Sequence, residues 1–174
     1  SVCLHEEAIR SDPAWDGGNY PQPGAVKAGL YLHAHVFSVM GVCPAFYKEE
    51  AWRIFGSSSL EDFMQNFWEA WFLPMDANNL LCMAWKWRHG DVSRLTGGDL
   101  RQALGQIQAK TYVMPFANDM IFPVEDCAAE QAMIAGSELR VIKSLWAHFA
   151  MLCVDPADQR QIDRNLAELL ATAV

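Results

Sequence analysis

The spacing of hydrophobic positions changes near residues 90–98. Before that point large apolar residues recur every three or four positions, as they do along one face of a helix. The strongest run is 59–73, where Leu60, Phe63, Met64, Phe67, Trp68, Trp71 and Phe72 form one stripe. Ser58, with Glu61 three residues later, predicts a capping box at its start. Pro74 predicts its end, because proline disfavours helix in the residue before it. Weaker helical patterns cover 1–11, 25–41, 44–55 and 77–89. Residues 11–24 are rich in Pro, Gly, Asp and Asn and predict a long turn-rich connection.

Beyond residue 96 the pattern alternates. Thr96-Gly97-Gly98 reads as a loop, and Asp99 as the cap of a short helix reaching about Ile107. Residues 110–116 are apolar and β-favouring and predict a buried strand. A helix follows over 124–135, closed by Gly136, and then a second strand over 138–144. Asp155-Pro156 opens a last helix, with an acid at the cap and proline at the first helical position. Its predicted apolar stripe is Ile162, Leu166, Leu169 and Leu170. Helix, strand, helix, strand, helix is the order of parallel βαβ units. The expected fold class is therefore α/β, with a mostly helical part over 1–95 and two parallel strands with flanking helices over 96–174.

Composition narrows the function. Hydrophobic residues make up 52% of the 174 and charged residues 20%, enough apolar material for a core, which excludes a disordered chain. Thirteen Lys and Arg against 21 Asp and Glu leave a net charge of −8 with no basic stripe, so neither nucleic acid nor an anionic membrane is an expected partner. The apolar runs are too short for a membrane span, and residue 1 falls directly into a helical pattern, so the chain is expected to start mid-fold. Five cysteines, none in a C-x-x-C pair, predict reduced and mostly buried thiols and a cytoplasmic location.

In an open parallel sheet, function gathers just past the C-terminal ends of the strands. Asp119 lies three residues after the first predicted strand and His148 four after the second. Adjacent strands would bring their loops together although the residues are 29 apart. A carboxylate on one imidazole nitrogen fixes the tautomer, leaving the other nitrogen to take a proton from a nucleophile. Taken singly, each residue also fits an ordinary role, Asp119 in a turn and His148 as a helix cap. Their order along the chain is that of the acid and base in α/β-hydrolases. The serines at 57–59 near Gly56 read as helix caps, and Cys127 and Cys153, in predicted apolar helical segments, as packing. His33 and His35 are two apart on a helix and cannot chelate together, and His5 and His89 have no ligand partners at metal spacing. No metal site and no cofactor is expected.

The segments Asp76-Ala-Asn-Asn-Leu-Leu, Gly97-Gly98-Asp99-Leu100, Asn118-Asp119-Met-Ile-Phe-Pro123-Val-Glu-Asp126 and Trp146-Ala147-His148-Phe149 together resemble the homoserine O-acetyltransferase-like α/β-hydrolases. The resemblance runs over nearly the whole chain. It implies that 1–95 is the helical lid with its flanks and 96–174 the last strands and helices of the hydrolase core. Asp119 would be the triad acid and His148 the triad base. The family's G-x-S-x-G nucleophile elbow, placed upstream of the lid, is absent from these residues, so the 174-residue chain alone is expected to be inactive. Ala147 stands where relatives usually have glycine, and Phe149 where homoserine acetyltransferases typically have an aspartate. Ester hydrolysis and acyl transfer both stay open, with a small acyl ester or acyl-CoA as the implied substrate. The alternative is a non-catalytic remnant or helical interaction module. The aromatic stripe of 59–73 is expected to be buried, in the lid core or against a second copy in a homodimer.

Overall fold

The computed structural model describes residues 2–172. They divide into two compact units, one of the residues up to Val39 with Tyr47–Gly90, the other of Met40–Phe46 with the residues from Asp91 on.

The first unit is helical. It contains α1 (Val2–Arg10), most of α2 (Lys27–Gly41) and the end of α3 (Pro44–Lys48). A segmented helix follows, running α4 (Leu60–Phe63), a π turn (Met64–Glu69) and α5 (Ala70–Phe72), and then α6 (Ala77–His89). Ile9, Val26, Leu30, Ala77 and Leu81 form a buried cluster, with Trp15, Tyr20, Leu73 and Leu80 packed against it. Gly29 allows α1 and α2 to cross closely. A Cβ built there would lie 2.7 Å from the Ile9 carbonyl oxygen, so no other residue fits without displacement. Buried Asp12 reinforces the crossing: one oxygen accepts from the Ala14 amide and the other, at 2.9 Å, from the Gly29 amide.

Three expectations for this half are corrected, and a fourth for the whole set of cysteines. Ser59, rather than Ser58, caps the aromatic helix, accepting from the Asp62 amide. The segment 44–55 is broken at Glu50, which adopts a left-handed φ of 53° before a 3-10 turn (Ala51–Phe55). The aromatic stripe is not buried as a whole: Phe63, Trp68 and Phe72 are buried, whereas Leu60 and Trp71 are exposed. The π turn is the reason. It inserts one extra residue per turn, so Phe63 and Trp68, five apart, come onto one side and Trp71 turns outward. Finally, of the five cysteines only Cys43 is buried; all five are free.

The second unit carries α7 (Leu100–Leu104), strand β1 (Tyr112–Val113), α8 (Val124–Gln131), strand β2 (Glu138–Leu139) and α9 (Pro156–Leu170). β1 and β2 are parallel, with Tyr112 opposite Glu138 and Val113 opposite Leu139. The ladder reaches past these short strands, since Phe116 bridges Ile142 and the Ala117 amide donates to the Ile142 carbonyl at 2.8 Å. Regular strand is shorter than the predicted 110–116 because Pro115 has no N–H to offer the ladder. Its carbonyl still accepts from the Ile142 amide. Helix α8 ends at Gln131, short of the expected 135. On α9 the expected stripe divides: Ile162 and Leu169 are half-buried, Leu166 and Leu170 exposed. Arg140 links this helix to the strands, bonding Glu138 and Glu168 and lying over the Tyr112 ring.

Candidate active site

Both predicted site residues lie at the C-terminal end of the parallel pair. After β1 the chain turns at Asn118, whose φ of 62° is left-handed, a conformation asparagine tolerates better than most residues. That turn delivers Asp119 with a side chain only 2% exposed. Its Oδ1 accepts from the Ile121 amide at 2.7 Å and the Phe122 amide at 3.2 Å. Its Oδ2 lies 3.1 Å from Nδ1 of His148. Two amide donors on one oxygen therefore aim the other at the imidazole.

His148 reaches this position through a second left-handed residue. Ala147 has φ 45° and is fully buried, and it starts the 3-10 turn Ala147–Leu152 that carries the histidine. Left-handed backbone costs an L-residue about 1–2 kcal/mol, which explains why glycine suits this position. The His148 ring keeps 14% of its surface, enough for one edge to face a neighbouring hollow. That hollow, about 190 Å3, is walled by Met114, Phe116, Phe122 and Met151 around the two polar residues. With a proton on Nδ1 shared toward Asp119, Nε2 carries a lone pair able to accept another proton.

Cys127 also borders the hollow. Burial, reinforced by the carboxylates of Glu130, Asp119 and Asp126, pushes its thiol pKa up, so it is the protonated, weakly nucleophilic form that stands there. Cys153 is not within a helix as predicted; it ends the 3-10 turn with a left-handed φ of 53°. Ser58 and Ser59 serve the start of α4, not a nucleophile turn.

The sequence did not reveal one further cluster, because nothing in the local pattern of either helix points to the other. His5 of α1 and His33 of α2 are both buried and their Nδ1 atoms are 3.3 Å apart. The Nε2 of each has no hydrogen-bond partner among the described residues. The pair borders an apolar hollow of about 270 Å3 with Phe37, Phe72 and Trp87. Burial, then the neighbouring His5, lowers the His33 pKa to about 4. His35, by contrast, pairs with Glu69 at 3.2 Å, and His89 with the Trp85 carbonyl.

No protein-family model matches the chain. It is 50% identical over 163 residues to a probable esterase of Corynebacterium glutamicum, covering 94% of this chain and 47% of that protein. It is 48% identical over 166 residues to an ethyl acetate hydrolase of Pseudomonas veronii, covering 95% and 48%. Among solved structures, the acetyl esterase MekB matches with a TM-score of 0.95 at 46% identity, over 98% of this chain and 50% of that one. A homoserine O-acetyltransferase from Bacillus anthracis shares the fold with a TM-score of 0.81 at 22% identity, over 99% and 48%. The chain thus spans about half the length of the relatives it matches. The parallel pair and these likenesses define part of an α/β-hydrolase fold. Within that class, the chain is an α/β-hydrolase-like protein, related to esterases near 50% identity and sharing its fold with a homoserine O-acetyltransferase.

Proposed function

We propose that these residues supply the acid Asp119 and the base His148 of a Ser–His–Asp triad in an esterase of small acyl esters. The serine and the oxyanion hole would come from residues outside the 174. In this reading 1–95 serves as the helical lid and 96–174 as part of the hydrolase core. The observation that carries it is the 3.1 Å contact of His148 Nδ1 with Asp119 Oδ2, together with the two amides that pin the other carboxylate oxygen.

The chemistry follows from that contact. As the serine oxygen bonds to the acyl carbon, His148 Nε2 takes its proton, and the Asp119 carboxylate stabilises the imidazolium. Collapse of the tetrahedral intermediate breaks the bond to the alcohol oxygen, which receives that proton. Water then attacks the acyl-enzyme, giving a proton to Nε2, and the acid departs as the proton returns to serine. Hydrolysis is favoured over acyl transfer because the relatives near 50% identity are esterases and because Phe149 stands beside the base. A cytoplasmic location and a homodimer through the helical lid belong to the same reading. The five free thiols fit a reducing compartment.

Ethyl acetate hydrolysis by the intact protein, against its His148→Ala variant, tests the proposal. Loss of turnover, with a serine-directed phosphonate labelling a serine outside residues 1–174, is expected. Unchanged turnover in His148→Ala, or stoichiometric labelling within 1–174, would overturn it.

A further inference from the structure

The four residues before Ala147 are each tied down by a side chain. Gln161 of α9 clamps Lys143, accepting from its amide at 3.2 Å and donating to its carbonyl at 3.0 Å. Ser144 Oγ donates to Oδ2 of Asp158 at 2.6 Å and accepts from the Trp146 amide at 2.9 Å. The Cys43 thiol donates to the Leu145 carbonyl at 3.2 Å. The Trp146 ring is buried edge-on against Phe46.

Asp158 is the unusual member. It sits in the first turn of α9, 2% exposed, and burial raises its carboxyl pKa. A buried carboxylate costs stability unless hydrogen bonds compensate it. Its bond here is to the one hydroxyl that also captures the Trp146 amide, the residue before strained Ala147. Strained backbone persists only where its surroundings over-determine it.

We propose that Ser144 and Asp158 are positioning residues for His148. Asp158 holds the Ser144 hydroxyl, the hydroxyl holds the Trp146 amide, and the turn so fixed keeps Ala147 left-handed and the imidazole facing Asp119. This rests on the reading of His148 as the base, and it adds a buried carboxylate that touches neither substrate nor imidazole. Its contribution is to kcat rather than to substrate binding.

The test uses the intact protein with Ser144→Ala, Ser144→Thr, Asp158→Ala and the Ser144→Ala/Asp158→Ala double variant. Two readouts are taken: ethyl acetate kinetics, and the proton NMR signal of the His148 Nδ1–H, which the Asp119 hydrogen bond protects from exchange. Ser144→Ala and Asp158→Ala are each expected to lower kcat about 10- to 100-fold at unchanged KM and to broaden or abolish that signal. Ser144→Thr, which keeps the hydroxyl, is expected to retain both. The double variant should lose no more than either single one, because both act through one tie, whereas independent structural damage adds. Removing both partners also leaves no stranded carboxylate, so the double variant decides the matter if Ser144→Ala fails to fold. Folded variants with kcat within about twofold of the parent and an unchanged imidazole signal would overturn the inference. If His148→Ala is as active as the parent, the triad reading fails instead, and the NMR signal still reports whether Ser144 and Asp158 orient the ring.

Discussion

Asp119 and His148 meet through one oxygen only: Oδ2 faces the imidazole at 3.1 Å while Oδ1 is occupied by the amides of Ile121 and Phe122. That division makes Asp119→Asn a sharp substitution. The two amides require an acceptor, so the asparagine oxygen takes the Oδ1 place and its NH2 is turned toward His148 Nδ1. Nδ1 must then accept, the proton moves to Nε2, and the base is blocked. In the intact protein kcat should fall by about 10^4, with folding retained. A loss under about tenfold would show that the carboxylate does not set the tautomer.

The buried His5–His33 pair predicts an acid-sensitive helical unit. Folding depresses the His33 pKa to about 4, so its contribution to stability is complete above the unfolded-state value near 6.5 and is lost as pH falls through about 4. His5 is shifted in the same direction by burial. Unfolding free energies from urea titration should be flat above about pH 7 and decline below it, by up to about 1.4 kcal/mol per pH unit for each proton refused. The double variant His5→Leu/His33→Leu should show a shallower decline. Equal slopes in the two proteins would refute the assignment.

Left-handed Ala147 predicts an asymmetry between two small changes. Glycine relieves the strain but gives up a buried methyl, so Ala147→Gly should alter stability by no more than about 1 kcal/mol. Valine adds branching that disfavours this backbone and volume that the buried site has no room for. Ala147→Val should cost about 2–4 kcal/mol by chemical denaturation. Comparable midpoints for the two variants would contradict the backbone conformation.

The tryptophans at 68 and 71 are three apart in sequence with opposite surroundings, one fully buried and the other 42% exposed. Trp68→Ala should destabilise the protein by about 3–5 kcal/mol, since Trp68 stacks on Phe72 and meets Phe63 edge-on. Trp71→Ala should cost under about 1 kcal/mol. Calorimetric melting of the two variants would separate them.

These cases show which signals the sequence carries. Asp119 and His148 could be found because parallel strands convert a separation of 29 residues into adjacency, and β-branched residues mark both strands, with Tyr112 and Phe116 in the first. Ala147 signalled a special backbone only through its departure from a family glycine. The capping acids Asp99 and Asp155 were visible as side chains ahead of their helices, and each accepts an amide of its helix's first turn; Asp76, which caps α6 in the same way, was not singled out. The remainder depended on contacts without local periodicity. Nothing near His5 indicates His33, and nothing near Ser144 indicates Asp158. The split of the aromatic stripe was hidden because periodicity assumes 3.6 residues per turn, and the π turn departs from that value.

The same π turn makes the register of α5 depend on the number of residues before it, and not only on their kinds. Between Phe63 and Trp68 the chain carries one residue more than an α-helical repeat requires. Deleting a single exposed residue there, such as Gln65, would bring Phe63 and Trp68 to the four-residue spacing at which a regular α-helix keeps two side chains on one face. The π turn would close up while the indole of Trp68 stayed turned to the core. A further inserted residue has no such outlet: it would rotate every side chain from there to Pro74 by about 100° relative to α4 and exchange the inside and outside of the helix.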